Sequence, residues 1–171
     1  VVATVAGPAP GRIKLATLPK RERVEIQLDN GRYTLVEEER IVPLLQSSAK
    51  TGNNKIDFSW SNTRINKDSI QFRPLGIRDG DTFRPIKKVR GSEEISVVNV
   101  AFPPGENALV WEVYAARACA VKVRVSYLID NLTRTFNYRA LANKDETELV
   151  FRKFIRLRNY SGEDFGTAGV W

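Results

Sequence analysis

Residues 121–127 read Val-Lys-Val-Arg-Val-Ser-Tyr, an unbroken alternation of apolar and polar side chains. Successive side chains of a β-strand point to opposite faces, so a period of two is typical of a strand with one buried face. The run predicts that the valines and Tyr127 face a core while Lys122 and Arg124 face outward. Cys119 falls in the same phase, which favours a small buried hydrophobe over a reactive thiol.

The same alternation recurs through most of the chain, and turn signals separate the runs. The alternating runs are residues 24–28, 56–60, 70–72, 109–113, 136–140 and 149–157. Helical periodicity of any length is missing, and turns at intervals of about ten residues are typical of a sandwich or barrel. The sequence therefore predicts an all-β, antiparallel sandwich-like fold. Trp60 and Trp111 are in phase with apolar neighbours and are predicted to be core residues.

Two strands of this pattern invite more specific predictions. After the Asn30-Gly31 turn signal the chain returns over residues 33–42, where Glu37, Glu38 and Glu39 interrupt the alternation. Charges followed by Pro43 favour an edge strand, because such features discourage unwanted pairing. Residues 95–102 instead carry apolar side chains in both phases, which is typical of a central strand covered on both faces.

Three segments are predicted along the chain. Residues 1–22 form an extended arm or linker, residues 23–86 a small N-terminal β unit, and residues 87–171 an antiparallel β-sandwich unit. The arm is rich in small residues and contains Pro8 and Pro10, followed by Ile13 and Leu15. Such a segment is either a disordered terminus or an arm that docks by ordering on a partner. These four residues are the candidates for a docking arm.

Composition argues against several classes of function. The chain has no histidine and one cysteine, so the side chain best suited to proton transfer and the commonest metal ligand are both missing. We expect a protein that is not an enzyme, with no metal site and no cofactor. No apolar run approaches the ~20 residues that span a bilayer, so no transmembrane segment is expected. No motif for nucleic-acid binding is present.

The net charge of +7 favours anionic partners such as acidic proteins, lipid headgroups or glycans. Five cations would lie on one sheet face if the strands that carry them were neighbours; these are Lys122, Arg124, Arg152, Arg156 and Arg158. The alternative is a solvated face balanced by Glu112 and Glu148. Trp171 lies at the end of the chain beside Val170, where it is a candidate contact for a partner.

Several blocks together resemble a family of uncharacterised bacterial envelope proteins, related to the C-terminal domain of proteins called mucoidy-inhibitor-like. The blocks are residues 17–19, 23–28, 34–40, 57–62, 68–73, 108–113 and 157–165. The resemblance implies extracytoplasmic, periplasmic or secreted β-sandwich proteins without an established activity. It also implies further strands after the Asn-x-Ser-Gly turn at residues 159–162, so the unit 87–171 is expected to be incomplete at its C-terminal end.

These observations together favour a non-enzymatic accessory or scaffold subunit that docks on a larger envelope or membrane complex. The expected partners are proteins of that complex, with the chain held peripherally on the membrane assembly. The alternative is a binding module for anionic glycans of the cell envelope.

Overall fold

The computed structural model of the chain describes residues 12–15, 20–28, 31–48, 54–89 and 92–171, which form strands and connecting turns. In chain order the strands are β1 (Arg12–Lys14), β2 (Arg21–Gln27), β3 (Thr34–Leu44), β4 (Asn54–Ser59), β5 (Ile65–Asp79), β6 (Thr82–Arg84), β7 (Lys88–Val89), β8 (Ser92–Glu93), β9 (Ile95–Ala101), β10 (Ala108–Ala115), β11 (Cys119–Ile129), β12 (Leu132–Ala142), β13 (Leu149–Asn159) and β14 (Gly169–Val170). The predicted all-β fold is confirmed. No helix in the described residues is long and apolar enough to cross a membrane.

Two sheets pack face to face as a sandwich. One has the order β1-β4-β10-β9 and the other β14-β2-β3-β11-β5-β6. Aromatic rings join them across the core: Phe58 lies 5.2 Å from Tyr127, and Phe72 stacks on Trp111 at 4.9 Å. The alternation of residues 121–127 is confirmed, because the valines and Tyr127 are buried while the intervening side chains are half-buried.

Both sheets contain strands from the two predicted β units. β11 lies between β3 and β5, and β10 lies between β4 and β9. The boundary near residue 86 therefore does not divide the structure into the units 23–86 and 87–171. A sandwich pairs strands that are distant in sequence, and spacing between turn signals carries no information on which distant strands meet.

Three strand positions differ from the sequence predictions. β3 is an interior strand rather than an edge strand, since β2 and β11 pair on its two sides. β9 is an edge strand rather than a central one. Part of the predicted arm belongs to the fold: β1 pairs in parallel with β4, and Leu15 is fully buried.

The C-terminal segment returns to the body after β13. Gly169 and Val170 form β14, which pairs in parallel with β2, and the backbone of Trp171 continues the pairing to Ile26 and Leu28. Phe165 is buried in the core cluster. β14 is thus the outer strand of the six-stranded sheet.

Candidate interaction surface

β12 and β13 form a separate antiparallel ribbon, which we call the ribbon. Eleven residues of each strand pair in register, from Leu132 opposite Asn159 to Ala142 opposite Leu149. At ~3.3 Å per residue the ribbon is roughly 35 Å long. Neither strand belongs to the two sheets of the sandwich. Every residue from Thr135 to Tyr160 is exposed, so the ribbon projects from the body into solvent.

Hydrogen bonds of two asparagines hold the chain at the two ends of the ribbon. At the tip, the Asn143 side-chain oxygen accepts the backbone N–H groups of Thr147 and Glu148 at 2.9 and 3.1 Å. At the base, Asn131 adopts a left-handed φ of 65°, and its carbonyl accepts the Tyr160 N–H at 2.9 Å. Asparagine tolerates this conformation better than most residues. These turns set the register that separates the two faces described next.

One face of the ribbon is mainly apolar. Cross-strand neighbours share a face, and on this one they are Leu132, Arg134, Phe136, Tyr138, Ala140, Ala142, Leu149, Phe151, Lys153, Ile155, Leu157 and Asn159. Leu149 is 62% exposed, Phe151 61% and Tyr138 58%. The Tyr138 and Phe151 rings stack 5.6 Å apart, and the Lys153 ammonium lies 4.5 Å from the centre of the Phe136 ring. We call this surface the apolar face.

The opposite face of the ribbon carries four of the six cations of β12 and β13. Arg139 lies directly opposite Arg152, Arg156 and Arg158 follow along β13, and we call this surface the arginine face. The exposed side chains of Leu141, Val150 and Phe154 lie on it as well. Among the described residues, no carboxylate forms an ion pair with any of these four arginines. Like charges placed directly opposite in a ribbon are destabilising, so the pair Arg139–Arg152 favours an anionic contact.

The excess positive charge of the chain is concentrated in the ribbon. β12 and β13 carry six of the 27 basic residues and none of the 20 acidic residues. The rest of the chain is consequently close to neutral. The electrostatic attraction for an anionic partner is therefore directed at this element.

The structure separates the five predicted cations into two groups. Arg152, Arg156 and Arg158 share the arginine face, but Lys122 and Arg124 lie on β11 in the body. There Arg124 donates to Glu39 at 2.7 Å, and Lys122 lies 3.8 Å from the same carboxylate. The single five-cation face does not form, because β13 pairs with β12 and not with β11. Arg139 was missed, although its place on an alternating strand was a usable signal.

The other predicted contacts are the residues of the docking arm and Trp171. Ile13 lies in β1 and packs against the core, and Leu15 is buried, so neither belongs to a free docking arm. Pro8 and Pro10 lie outside the described residues. The Trp171 side chain is 71% exposed and remains a candidate contact, although its backbone pairs with β2.

The burial predicted for the two internal tryptophans and the cysteine is complete for only one of them. Trp111 is buried, as predicted, whereas Trp60 is half-buried and meets the exposed ring of Phe102 edge-on at 6.3 Å. Cys119 is half-buried against the core, and this burial raises the pKa of its thiol. Across the described ranges, no group of three or more His, Cys, Asp or Glu residues could hold a metal ion.

A buried ionic cluster in the body escaped the sequence analysis. Glu38 is 1% exposed, and its Oε2 accepts from Arg40 at 2.6 Å and from Arg21 at 2.7 Å. Arg21 also pairs with Glu163 and donates to the carbonyl of Asp164. The pKa of Tyr127 lies above its usual range because of its burial, and the nearby Glu38 charge acts in the same direction.

An open cleft of about 680 Å³ lies over this cluster, lined mainly by charged residues of β2 and of the segment 163–167. The ionic contacts fasten the C-terminal segment to β2 and β3. The arginines here are already engaged by carboxylates, in contrast to those of the arginine face.

No family model, curated protein or solved structure matches this chain.

Proposed function

We propose that this chain is a non-enzymatic accessory or scaffold subunit that docks, through its ribbon, on a larger extracytoplasmic envelope or membrane complex. The apolar face is the observation that carries the proposal. An isolated two-stranded ribbon is marginally stable in water, and large exposed apolar patches mark interaction sites. The extracytoplasmic location rests on the sequence resemblance to bacterial envelope proteins.

The composition of the apolar face suits a protein partner. It combines two stacked aromatic rings with aliphatic side chains, and a cation over Phe136 lies beside them. Aromatic and aliphatic anchors of this kind contribute most of the binding energy in protein interfaces. A polypeptide surface with a complementary apolar patch is the occupant to which we assign this face.

The arginine face supports a second candidate, which is the binding of anionic glycans. Arg139, Arg152, Arg156 and Arg158 present guanidinium groups that can pair bidentately with carboxylate or sulfate. Thr133, Thr135 and Asn137 lie on the same face and add hydroxyl and amide groups for hydrogen bonding. This candidate predicts binding that weakens strongly as salt rises.

Two triple variants separate the candidates. The apolar-face variant is Tyr138→Thr, Phe151→Thr and Ile155→Thr, in which threonine keeps a high β propensity. The arginine-face variant is Arg139→Gln, Arg152→Gln and Arg156→Gln. A matched control neutralises three exposed arginines of the body, Arg64→Gln, Arg78→Gln and Arg117→Gln.

Docking is measured by photo-crosslinking in envelope membranes with benzoylphenylalanine at position 138, and glycan binding by calorimetry with polygalacturonate. Docking through the apolar face gives one defined protein adduct. That adduct persists in the control and disappears when the two other residues of the apolar-face variant are changed. If no protein adduct forms while the arginine-face variant alone loses polygalacturonate, the scaffold function is wrong and glycan binding replaces it.

A further inference from the structure

The outer side of β9 is a free sheet edge. β9 pairs with β10, and no strand among the described residues pairs with its other side. The seven residues Ile95–Ala101 include no charged side chain. Val98 is 43% exposed and Val100 50%. A free edge presents a row of unpaired backbone N–H and C=O groups, which is a template for another strand.

The other free edges of the sandwich are protected in ways that β9 is not. β1 and β6 have three residues each and β14 has two. β6 pairs only with residues 77–79 of β5, and the uncovered part of β5 carries Lys67, Asp68, Arg73 and Pro74. Short length, charge and proline all discourage strand addition. β9 has one protective feature, a register shift that leaves Val98 without a partner on β10, but it carries neither charge nor proline.

The sequence of β9 and its position disagree. Apolar side chains in both phases are typical of a strand that is covered on both faces. The structure places β9 at the end of its sheet and leaves Val98 and Val100 exposed. The described strands therefore do not bury the apolar surface that this sequence provides.

An open groove of about 530 Å³ runs beside this edge, where the two sheets separate. Its lining mixes apolar and polar side chains, which are Arg73, Pro74, Leu75, Ile86, Glu93, Ile95, Ser96 and Val97. A strand added to β9 would place alternate side chains over this groove.

We propose that the edge of β9 accepts one extended segment of a partner polypeptide, which adds as a strand and places apolar side chains beside Val98 and Val100. The unpaired backbone groups select a strand, and the uncharged edge with its exposed valines selects apolar side chains in that strand. This acceptor edge is separate from the ribbon and does not depend on it.

The test uses a fluorescein-labelled decapeptide of alternating Val and Thr with a Glu at each end. A second peptide of the same sequence is N-methylated at alternate amides, which removes backbone donors and keeps every side chain. We expect the first peptide to bind and the second to bind at least about tenfold more weakly. Hydrogen exchange of the β9 amides should slow when the first peptide is added.

Variants locate the binding on β9. Val100→Lys places a charge on the free edge and should weaken peptide binding about tenfold or more, whereas Thr82→Lys on β6 is the matched control and should not. The apolar-face variant of the ribbon should bind the peptide normally, so failure here is distinguishable from failure of the docking function. The proposal would be overturned if both peptides bound equally or if neither peptide bound. It would also be overturned by exchange protection away from β9, or by dimerisation of the chain through β9, measured by sedimentation.

Discussion

Arg40 shows how a charged residue can occupy the interior of a sheet. It is 5% exposed, donates to Glu38, and also donates to the carbonyl of Leu15 at 2.6 Å. Arg21 and Arg40 both donate to the Glu38 carboxylate, and burying a charge is costly unless it is paired and hydrogen-bonded. A buried ion pair is weak evidence for net stabilisation, but breaking one leaves an uncompensated buried charge.

We accordingly predict that Arg40→Met lowers the free energy of unfolding by about 3–5 kcal/mol. The double variant Glu38→Gln, Arg40→Met should recover part of this loss, because the buried negative charge is gone. Urea unfolding of the wild type and the two variants measures both effects. An Arg40→Met variant as stable as the wild type would show that Arg21 alone compensates the buried charge of Glu38.

Glu94 is a second single residue that affects stability, and its contribution to the free energy of unfolding depends on pH. Its carboxylate accepts from Arg84 and from the backbone N–H of Lys87, and these bonds lower its pKa from 4.5 to about 2. A group whose pKa is depressed in the folded state stabilises the fold above its unfolded pKa. That contribution is lost as pH falls from about 4.5 through about 2.

For Glu94→Gln we therefore predict a loss of stability that is constant above pH 5, shrinks below about 4.5 and vanishes near 2. The measurement is the free energy of unfolding across this range for wild type and variant. Arg84→Gln should remove the same pH-dependent component, because Arg84 is the main cause of the shift. A difference between wild type and Glu94→Gln that does not change with pH would contradict the assignment.

At the scale of elements, one glycine controls how the C-terminal segment meets the body. Gly162 has a φ of 82°, and a Cβ there would overlap the carbonyl oxygen of Asn62. Beside it, the carbonyl of Ser161 accepts the Arg64 N–H at 2.9 Å. The chain after the ribbon can return to β2 only because this close approach is possible.

Gly162→Ala should destabilise the protein by more than the ~1–2 kcal/mol that a left-handed alanine costs by itself. Gly105→Ala is the matched control, because Gly105 has a φ of 75° with open space around it. Thermal unfolding compares the two variants, and hydrogen exchange at Val170 and Trp171 should accelerate only in Gly162→Ala. Equal losses of stability would mean that the contact with Asn62 relaxes without cost.

The ribbon is an element whose strands are stabilised by each other rather than by the core. The buried core cluster of the described residues contains no member between Leu132 and Tyr160, and Leu132 alone of this range packs against it. Alternation alone could not reveal this separation, because β12 and β13 have the pattern of sandwich strands. Whether an alternating strand covers a core or stands in solvent depends on its neighbours, which are distant in sequence.

At the scale of the whole molecule, the proposed function assigns stability to the body and interaction to the ribbon. The two sheets contain the core, while the ribbon carries the arginine face and the exposed, stacked rings of Tyr138 and Phe151. We predict that replacing residues 133–158 with a short turn, which joins the paired residues Leu132 and Asn159, leaves the melting temperature of the body nearly unchanged. Because this variant lacks position 138, its docking is measured by co-sedimentation with envelope membranes, which it should lose.

Scanning calorimetry and co-sedimentation together check this prediction. A folded body that still sediments with envelope membranes would exclude the ribbon as the docking element. A body that unfolds without the ribbon would show instead that the apolar face stabilises the sandwich.

The sequence by itself determined the class of fold and the faces of individual strands. The buried valines of β11, the hairpin of β2 and β3 and the core position of Trp111 follow from periodicity and turn residues, which are local properties. The sequence also shows that β12 and β13 contain six cations and no carboxylate. Only the tertiary structure decided which strands are neighbours: it placed β3 inside a sheet, β9 at an edge and the ribbon in solvent. Sheet order depends on contacts between distant residues, and the free energy of those contacts is not encoded in any local pattern.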